Sequence, residues 1–321
     1  MGEPLRPWFN FVFLRVRSNG EMKMQIEHSI GIRELSARER IFKVLDKGTF
    51  EEILPPSDRV FSPHLKALGL PIAFDDGIVI GEGFIKGKKI FIAAQEPGFM
   101  GGAVGEVHGA KLTGILKRAA EKKPSAVVLI FDTGGVRLHE ANAGLIAISE
   151  IQRAMFSARK AGVPLIVLSA GSNGIYGGIG IISRCCDYVI ITEEGRLSVS
   201  GPEVIESQKG VEEFDARDRA LVWRTMGGKH RFLINEAQCF VQDEVEKIRD
   251  AVSNYFDKPI PLDFKNLKEE HAELKERIDK YGDSRDAIEI WGKMGIDNPQ
   301  DVPSLDFDAF VKVANKVLQH E

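Results

Sequence analysis

Between residues 126 and 192 three short apolar runs, AVVLIFD, PLIVLSA and DYVIIT, alternate with two stretches of helical period. A run of this length without polar alternation is buried on both faces, and a strand that rejoins its neighbour in the same direction needs a crossover to bring the chain back. The alternation therefore commits the centre of the chain to an α/β domain, a parallel sheet with right-handed connections. The first crossover is expected as a helix over 139–161, with Leu145, Ile148, Ile151 and Met155 on one stripe and Gly162 and Pro164 as its stop. The second is expected as a short helix over 178–185. Upstream, Ser36 with Glu39 three positions later forms a capping box that opens a helix. GIVIGEGFI and KKIFIAAQ, set off by Asp76-Gly77 and Gly87-Lys88, read as strands joined by tight turns. Val104, His108, Leu112, Ile115 and Ala119 set a helix over 104–120.

These units occupy residues 31–260; residues 1–30 form an N-terminal extension without sustained period, and 261–321 read as a helical C-terminal tail. Charged helices are expected near 242–256, 264–280, 284–294 and 306–318. With 43% hydrophobic residues in 321, the chain has enough apolar surface for one large core carrying that tail. Forty-three Lys and Arg against 47 Asp and Glu leave a net charge of −4, which offers no global field for nucleic acid or an anionic membrane. The run WFNFVFLRV, about nine residues, is too short to span a bilayer and reads as a small docking strand. Three cysteines, Cys185, Cys186 and Cys239, supply neither a disulfide framework nor a four-cysteine zinc site, so a cytoplasmic chain without a metal is expected. Neither GxxxxGK[ST], GxSxG nor HExxH occurs, and no GxGxxG follows a strand.

Two Gly-Gly pairs follow two of the most apolar runs, in FDTGGVR and IYGGIGI. Ligands of an open parallel sheet bind at the carboxyl ends of its strands. A glycine amide there approaches a ligand closely, and at a helix start it is a donor without an intrahelical partner, backed by the helix dipole. From the residues alone the pairs are either tight strand-to-helix turns or two donor sites facing one cavity.

FMGGAVGEVHGAK (99–111), FDTGGVRLHEAN (131–142), IYGGIGI (175–181) and GPEVIE (201–206) together resemble, in this order, the carboxyltransferase branch of the crotonase superfamily. GPEVIESQKGVEEFDARDRALVW (201–223) is similar in particular to the β subunits of biotin-independent malonate decarboxylases. The resemblance implies a crotonase-like spiral of ββα units, with two sheets edged by helices. It implies decarboxylation of a malonyl thioester held on an acyl carrier protein, with release of carbon dioxide and an acetyl thioester left behind. Its implied partners are a related γ subunit, the δ carrier protein with its phosphoribosyl-dephospho-coenzyme A arm, and an α transferase subunit. No cofactor bound covalently to this chain is implied.

The same resemblance carries Gly134, Gly135 and Val136 over as one anion-stabilising loop and Gly177, Gly178 and Ile179 as the other. Backbone donors suffice because loss of carbon dioxide leaves an enolate whose oxygen carries the new charge. Gly101 and Gly102, with the amides that open the 104–120 helix, are candidates for the substrate or its arm, as are Arg137 and Glu203. For each, local packing is the alternative reading. His108, His139, Glu140, Tyr176 and Glu203 are the candidates nearby for protonating the enolate, beside water or a partner's residue, although His139 and Glu140 as first-turn residues also read as solvent-facing caps.

Met22-Lys23-Met24 matches the biotin-accepting tripeptide, but only 22 residues precede Lys23, where a carrier domain displays that lysine in the middle of a barrel. The rival enzymatic reading is the β carboxyltransferase of acetyl-coenzyme A carboxylase or a propionyl-type half. The zinc ribbon usual in bacterial acetyl-coenzyme A subunits has no counterpart here, since the first 184 residues hold no cysteine. A noncatalytic scaffold that docks a catalytic sister subunit is the alternative from another class.

Overall fold

The computed structural model describes residues 12–18, 21–27 and 31–318. Val12–Ser18 (β1) and Glu21–Glu27 (β2) pair antiparallel, with Lys23 opposite Val16. Residues 8–11 of the aromatic run lie outside the described residues.

Helix α1 (Ala37–Val44) starts from the predicted capping box, Glu39 N donating to Ser36 Oγ and Ser36 N to Glu39. Next come β3 (Glu51–Ile53), α2 (Pro63–Ala67), β4 (Ile78–Ile85), β5 (Lys88–Gln95) and α3 (Glu106–Lys122). The central crossovers run β6 (Val127–Phe131), α4 (Ala143–Lys160), β7 (Leu165–Ser169), α5 (Gly177–Arg184) and β8 (Tyr188–Thr192). The charged segment after Pro202, which carries no clear period, folds as α6 (Pro202–Lys209) and α7 (Arg219–Met226), followed by α8 (Gly228–Leu233), β9 (Cys239–Val241) and α9 (Val245–Ser253). The tail holds α10 (Phe264–Tyr281), α11 (Ala287–Lys293) and α12 (Phe307–Leu318).

Strands β3 to β9 form one sheet in sequence order, antiparallel from β3 to β5 and parallel from β5 to β9. Successive residues of β6 enter opposite cores. Val127, Leu129 and Phe131 join α3, α4 and α5 on one face, and Val128 and Ile130 join α1 and α9 on the other. Burial on both faces is why these strands read as unbroken apolar runs. Beside the sheet stand isolated bridges, Val104 with Val136 and Thr133 with Ile175 with Leu197, all parallel, and Arg196 with Gly227 antiparallel. Among the described residues these bridges do not extend into a second sheet of the kind expected; the other sheet is the β1–β2 hairpin.

Two helical expectations need correction. The stretch 139–161 is not one helix: Leu138–Glu140 is a 3-10 turn, Ala141 takes a left-handed φ of 51°, and α4 starts only at Ala143. The buried stripe of α4 is Gly144, Ala147, Ile151, Ala154, Met155 and Ala158, whereas Leu145 is 57% exposed. Small residues face inward because α4 lies close against α3, where a methyl on Gly109 would already crowd Ala147 at 2.3 Å. In the tail, Trp291, Val302, Phe310 and Ala314 belong to the same core as the sheet, while no residue of α10 is buried.

Candidate functional site

The carboxyl end of β6 leads into the first glycine loop and that of β7, across residues 170–176, into the second, and the loops touch. A methyl built on Gly177, whose φ is +64°, would lie 3.1 Å from Gly135 Cα. Thr133 ties them by backbone: its N donates to Gly174 O at 2.7 Å and its O accepts from Tyr176 N at 3.1 Å. The two pairs are therefore one surface.

Within the first loop the amides are not equivalent. Gly134 N donates to Gly101 O at 3.0 Å, and Gly135 N donates to the Thr133 hydroxyl at 3.0 Å. Gly135 O and Arg137 N both bond Val104, so Val136, the residue between them, turns its amide to the other side. Among the described residues Val136 N has no acceptor. In the second loop Gly177 N donates to Val199 O at 2.8 Å, and Tyr176, the N-cap of α5, supplies no side-chain cap. Gly178 N and Ile179 N lie in the first turn of α5 with no acceptor among the described residues, where the positive end of the helix dipole adds to their pull on an anion. Three amides, those of Val136, Gly178 and Ile179, thus lack an acceptor on two touching loops; Val136 and Gly178 are half-buried, Ile179 fully buried behind Gly178. Gly134 is exposed and Gly135 buried; both shape the loop while their own amides are engaged.

Two of the amides that open α3 are not free for an arm, while Val107 N between them has no acceptor among the described residues. Glu106 N donates to Glu140 Oε2 and His108 N to Asp76 Oδ2, both at 2.9 Å, so carboxylates already take two donors of this helix start. Gly102 N donates to Phe99 O, and only Gly101 N of that pair has no acceptor among the described residues. Gly102 is buried and takes a φ of +69°, and a methyl there would strike Asp132 O at 2.0 Å.

Arg137 is likewise corrected. Its side chain is fully buried, Nη1 donates to Asp76 Oδ2 at 2.8 Å and Nη2 to Asp76 O at 2.6 Å, and the guanidinium lies 5.1 Å from the Phe99 ring centroid. It braces the exit of the first loop against the turn before β4 and presents no charge to a ligand. Burial pushes the Asp76 carboxyl up, against the pull of Arg137.

The proton-donor candidates separate in the same way. His108 is wholly buried, its ring bonded to Gln95 at 3.2 Å, and desolvation holds its pKa well below the usual range, so it stays neutral and out of reach. Glu140 is a cap, as expected, but for α3 and inside the protein. His139 is exposed on the 3-10 turn beside the first loop, and Glu203 is exposed in the first turn of α6. Tyr176 is 4% exposed under Gly201, and burial raises its phenol pKa, so the hydroxyl keeps its proton at neutral pH.

The sequence reading missed Asp132, Arg40, Gln95, Thr133 and Asn173, which hold the loops from below. One signal was present: Asp132 is the single charged residue closing an otherwise apolar strand run, two positions before the first glycine.

The carboxyl transferase domain family model matches residues 31–277. The chain is 38% identical over 305 residues to the malonyl-S-ACP:biotin-protein carboxyltransferase MADC of Malonomonas rubra, covering 88% of this chain and 95% of that protein. It is similar to a chain of the Pseudomonas malonate decarboxylase hetero-tetramer crystallised with malonate, at 38% identity and a TM-score of 0.74, covering 80% of this chain and 95% of that one. A chain of the transcarboxylase 12S hexamer shares the crotonase-like fold at 22% identity and a TM-score of 0.57, over 68% of this chain and 40% of that one.

Proposed function

This chain belongs to the carboxyl transferase domain family, and from that premise we propose that it is the β subunit of a biotin-independent malonate decarboxylase, removing the carboxyl group of a malonyl thioester held on an acyl carrier protein. The bond between the carboxyl carbon and the methylene breaks, carbon dioxide leaves, and the electron pair stays as the enolate of the acetyl thioester. Protonation at carbon then gives the acetyl thioester. The observation that carries this reading is the set of three unengaged amides, Val136, Gly178 and Ile179, on two loops in contact.

Val136 N on one side and Gly178 N on the other bind the thioester oxygen and the carboxylate, with Ile179 N adding to the field of the helix start behind Gly178. The donor at the thioester oxygen gains most as charge grows there, which is the differential binding that lowers a barrier. The exposed His139 and the buried, still protonated Tyr176 are this chain's acids for the carbanion; His108, bonded to Gln95, and Glu140, bonded to Glu106 N, are already engaged. Gly101 and Glu203 stand at the surface for the carrier's phosphoribosyl-dephospho-coenzyme A arm.

The elements that carry the loops also carry exposed apolar side chains, Leu138 (82%), Leu145 (57%), Ile146 (61%), Ile181 (43%), Val199 (59%) and Val204 (47%). Such a patch beside a site that must exclude water fits coverage by another subunit. The proposed cover is the related γ subunit, in an assembly with the δ carrier protein and an α transferase subunit. No helix among the described residues is long and apolar enough to cross a membrane.

A second reading has its own support: the Malonomonas relative, named for passing the carboxyl group to a biotin protein, matches 88% of this chain. Both readings share the cleavage step and differ in where the carboxyl group goes. The test is to purify the chain with its partner subunits and follow malonyl carrier protein with and without avidin. Carbon dioxide release insensitive to avidin is expected. Carboxyl transfer that needs a biotin protein and stops with avidin would move the chain to the second reading, and inertness toward malonyl carrier protein would end both.

A further inference from the structure

Beneath the two loops lies one connected set of buried polar groups, centred on Asp132. Its Oδ2 accepts from Arg40 Nη2 at 2.8 Å, its Oδ1 accepts from Asn173 N at 2.7 Å, and its own N donates to Gln95 Oε1 at 2.9 Å. Both members of the Arg40–Asp132 pair are fully buried. Arg40 also donates from Nε to Ile32 O and from Nη2 to Arg33 O, while its buried Nη1 has no partner among the described residues. Backbone closes in on Asp132 from two sides: a methyl on Gly171 would meet its carboxylate at 2.0 Å, and one on Gly102 would meet its carbonyl at 2.0 Å. The first loop continues from Asp132 through Thr133, and the second enters through Asn173 and Gly174, which Asp132 and Thr133 hold directly.

From this geometry we infer that Asp132, charge-balanced by Arg40, is the positioning residue that sets the two amide-donor loops in register, a role that presupposes the donor reading given above. The carboxylate reaches both loops at once, and as an ionised acceptor it binds the Asn173 amide more tightly than a neutral group of the same shape does. A shift of about 1 Å between the two donor sites costs up to about a hundredfold in rate, because donors stabilise charge only where it develops.

A matched control lies at the other end of the strands. Asp187 is also buried, bonds Arg159 at 3.2 Å and accepts two backbone amides, Leu165 N and Ile260 N, but touches neither loop. In the complex with partner subunits, Asp132→Asn and Asp187→Asn are compared by thermal unfolding, by hydrogen exchange and by turnover of malonyl carrier protein. Asp132→Asn is expected to lower kcat by about tenfold to a hundredfold with KM within about twofold, and to speed exchange in 131–137 and 171–180 together. Asp187→Asn is expected to lose comparable Tm with kcat unchanged and both loops quiet. The double variant Asp132→Asn/Arg40→Met, which removes both buried charges, recovers Tm while kcat stays low. Equal kcat losses in the two single variants, exchange confined to one loop, or recovery of kcat with Tm would overturn the role. Hydrogen exchange reads loop register without the reaction, so an inactive wild type would refute the proposed substrate and leave the positioning role to be decided by the exchange data.

Discussion

The two ends of the parallel strands are built from the same parts and finished differently. At the amino ends, the Arg159–Asp187 pair satisfies Leu165 N, where β7 starts, and Ile260 N, where the tail departs. At the carboxyl ends, the Arg40–Asp132 pair satisfies Asn173 N and leaves three amides above it without acceptors. A buried ion pair by itself is a poor sign of function, since its desolvation offsets much of its attraction. What distinguishes the ends is the backbone around the pair: at one end the carboxylate satisfies the amides that start β7 and the tail, at the other it supports a framework holding donors that the protein itself does not satisfy.

The largest effect is expected from breaking the brace beside the donors. Arg137→Met leaves Asp76 buried and uncompensated and should cost about 3–5 kcal/mol of stability, read as a fall in Tm, while whatever remains folded keeps its KM. A large rise in KM at unchanged Tm would return Arg137 to the arm-binding role.

Next is Val136→Pro, which removes an unengaged amide and breaks no internal bond. Turnover should fall about a hundredfold or more, whereas Val136→Ala, which keeps the amide, should stay within a few-fold. Comparable losses in both would show that the side chain, and not the donor, matters there.

On the covered side of the fold, His230 is buried edge-on against Trp291 of α11, at 5.9 Å between centroids, and desolvation takes its pKa from 6.5 to about 3. Its native form is neutral, so the unfolded chain binds the extra proton between those values and stability falls as pH drops through that window. Linkage gives a loss of about 2 kcal/mol between pH 7 and pH 5 from this residue. Urea unfolding at the two pH values should show His230→Phe flattening the slope; an unchanged slope would remove His230 from it.

The smallest effect is expected from Gly177→Ala, about 1 kcal/mol from the left-handed φ, together with a loss of turnover as the methyl pushes on Gly135 Cα. Unchanged turnover would mean the loops tolerate separation, and the contrast between the strand ends would weaken.

Much of this was legible in the residues. The apolar runs at 127–131, 165–169 and 188–192 are strands, the capping box at Ser36 holds, and both glycine triplets sit at strand ends as their order implied. Arg137 and His108 were misplaced because a polar residue at helical or loop spacing reads the same whether it faces solvent or a buried partner 61 or 13 residues away. Leu145 was misplaced because period alone does not tell which of two apolar stripes meets a neighbouring helix.

By itself the sequence determined the sheet, the crossovers and the two glycine loops, since burial on both faces and left-handed turns act through local composition. Only the tertiary structure decided which amides are free. An amide's availability depends on whether Gly101 O, Thr133 Oγ1 or Val199 O lies within hydrogen-bond distance, and those acceptors are brought there by the packing of separate segments.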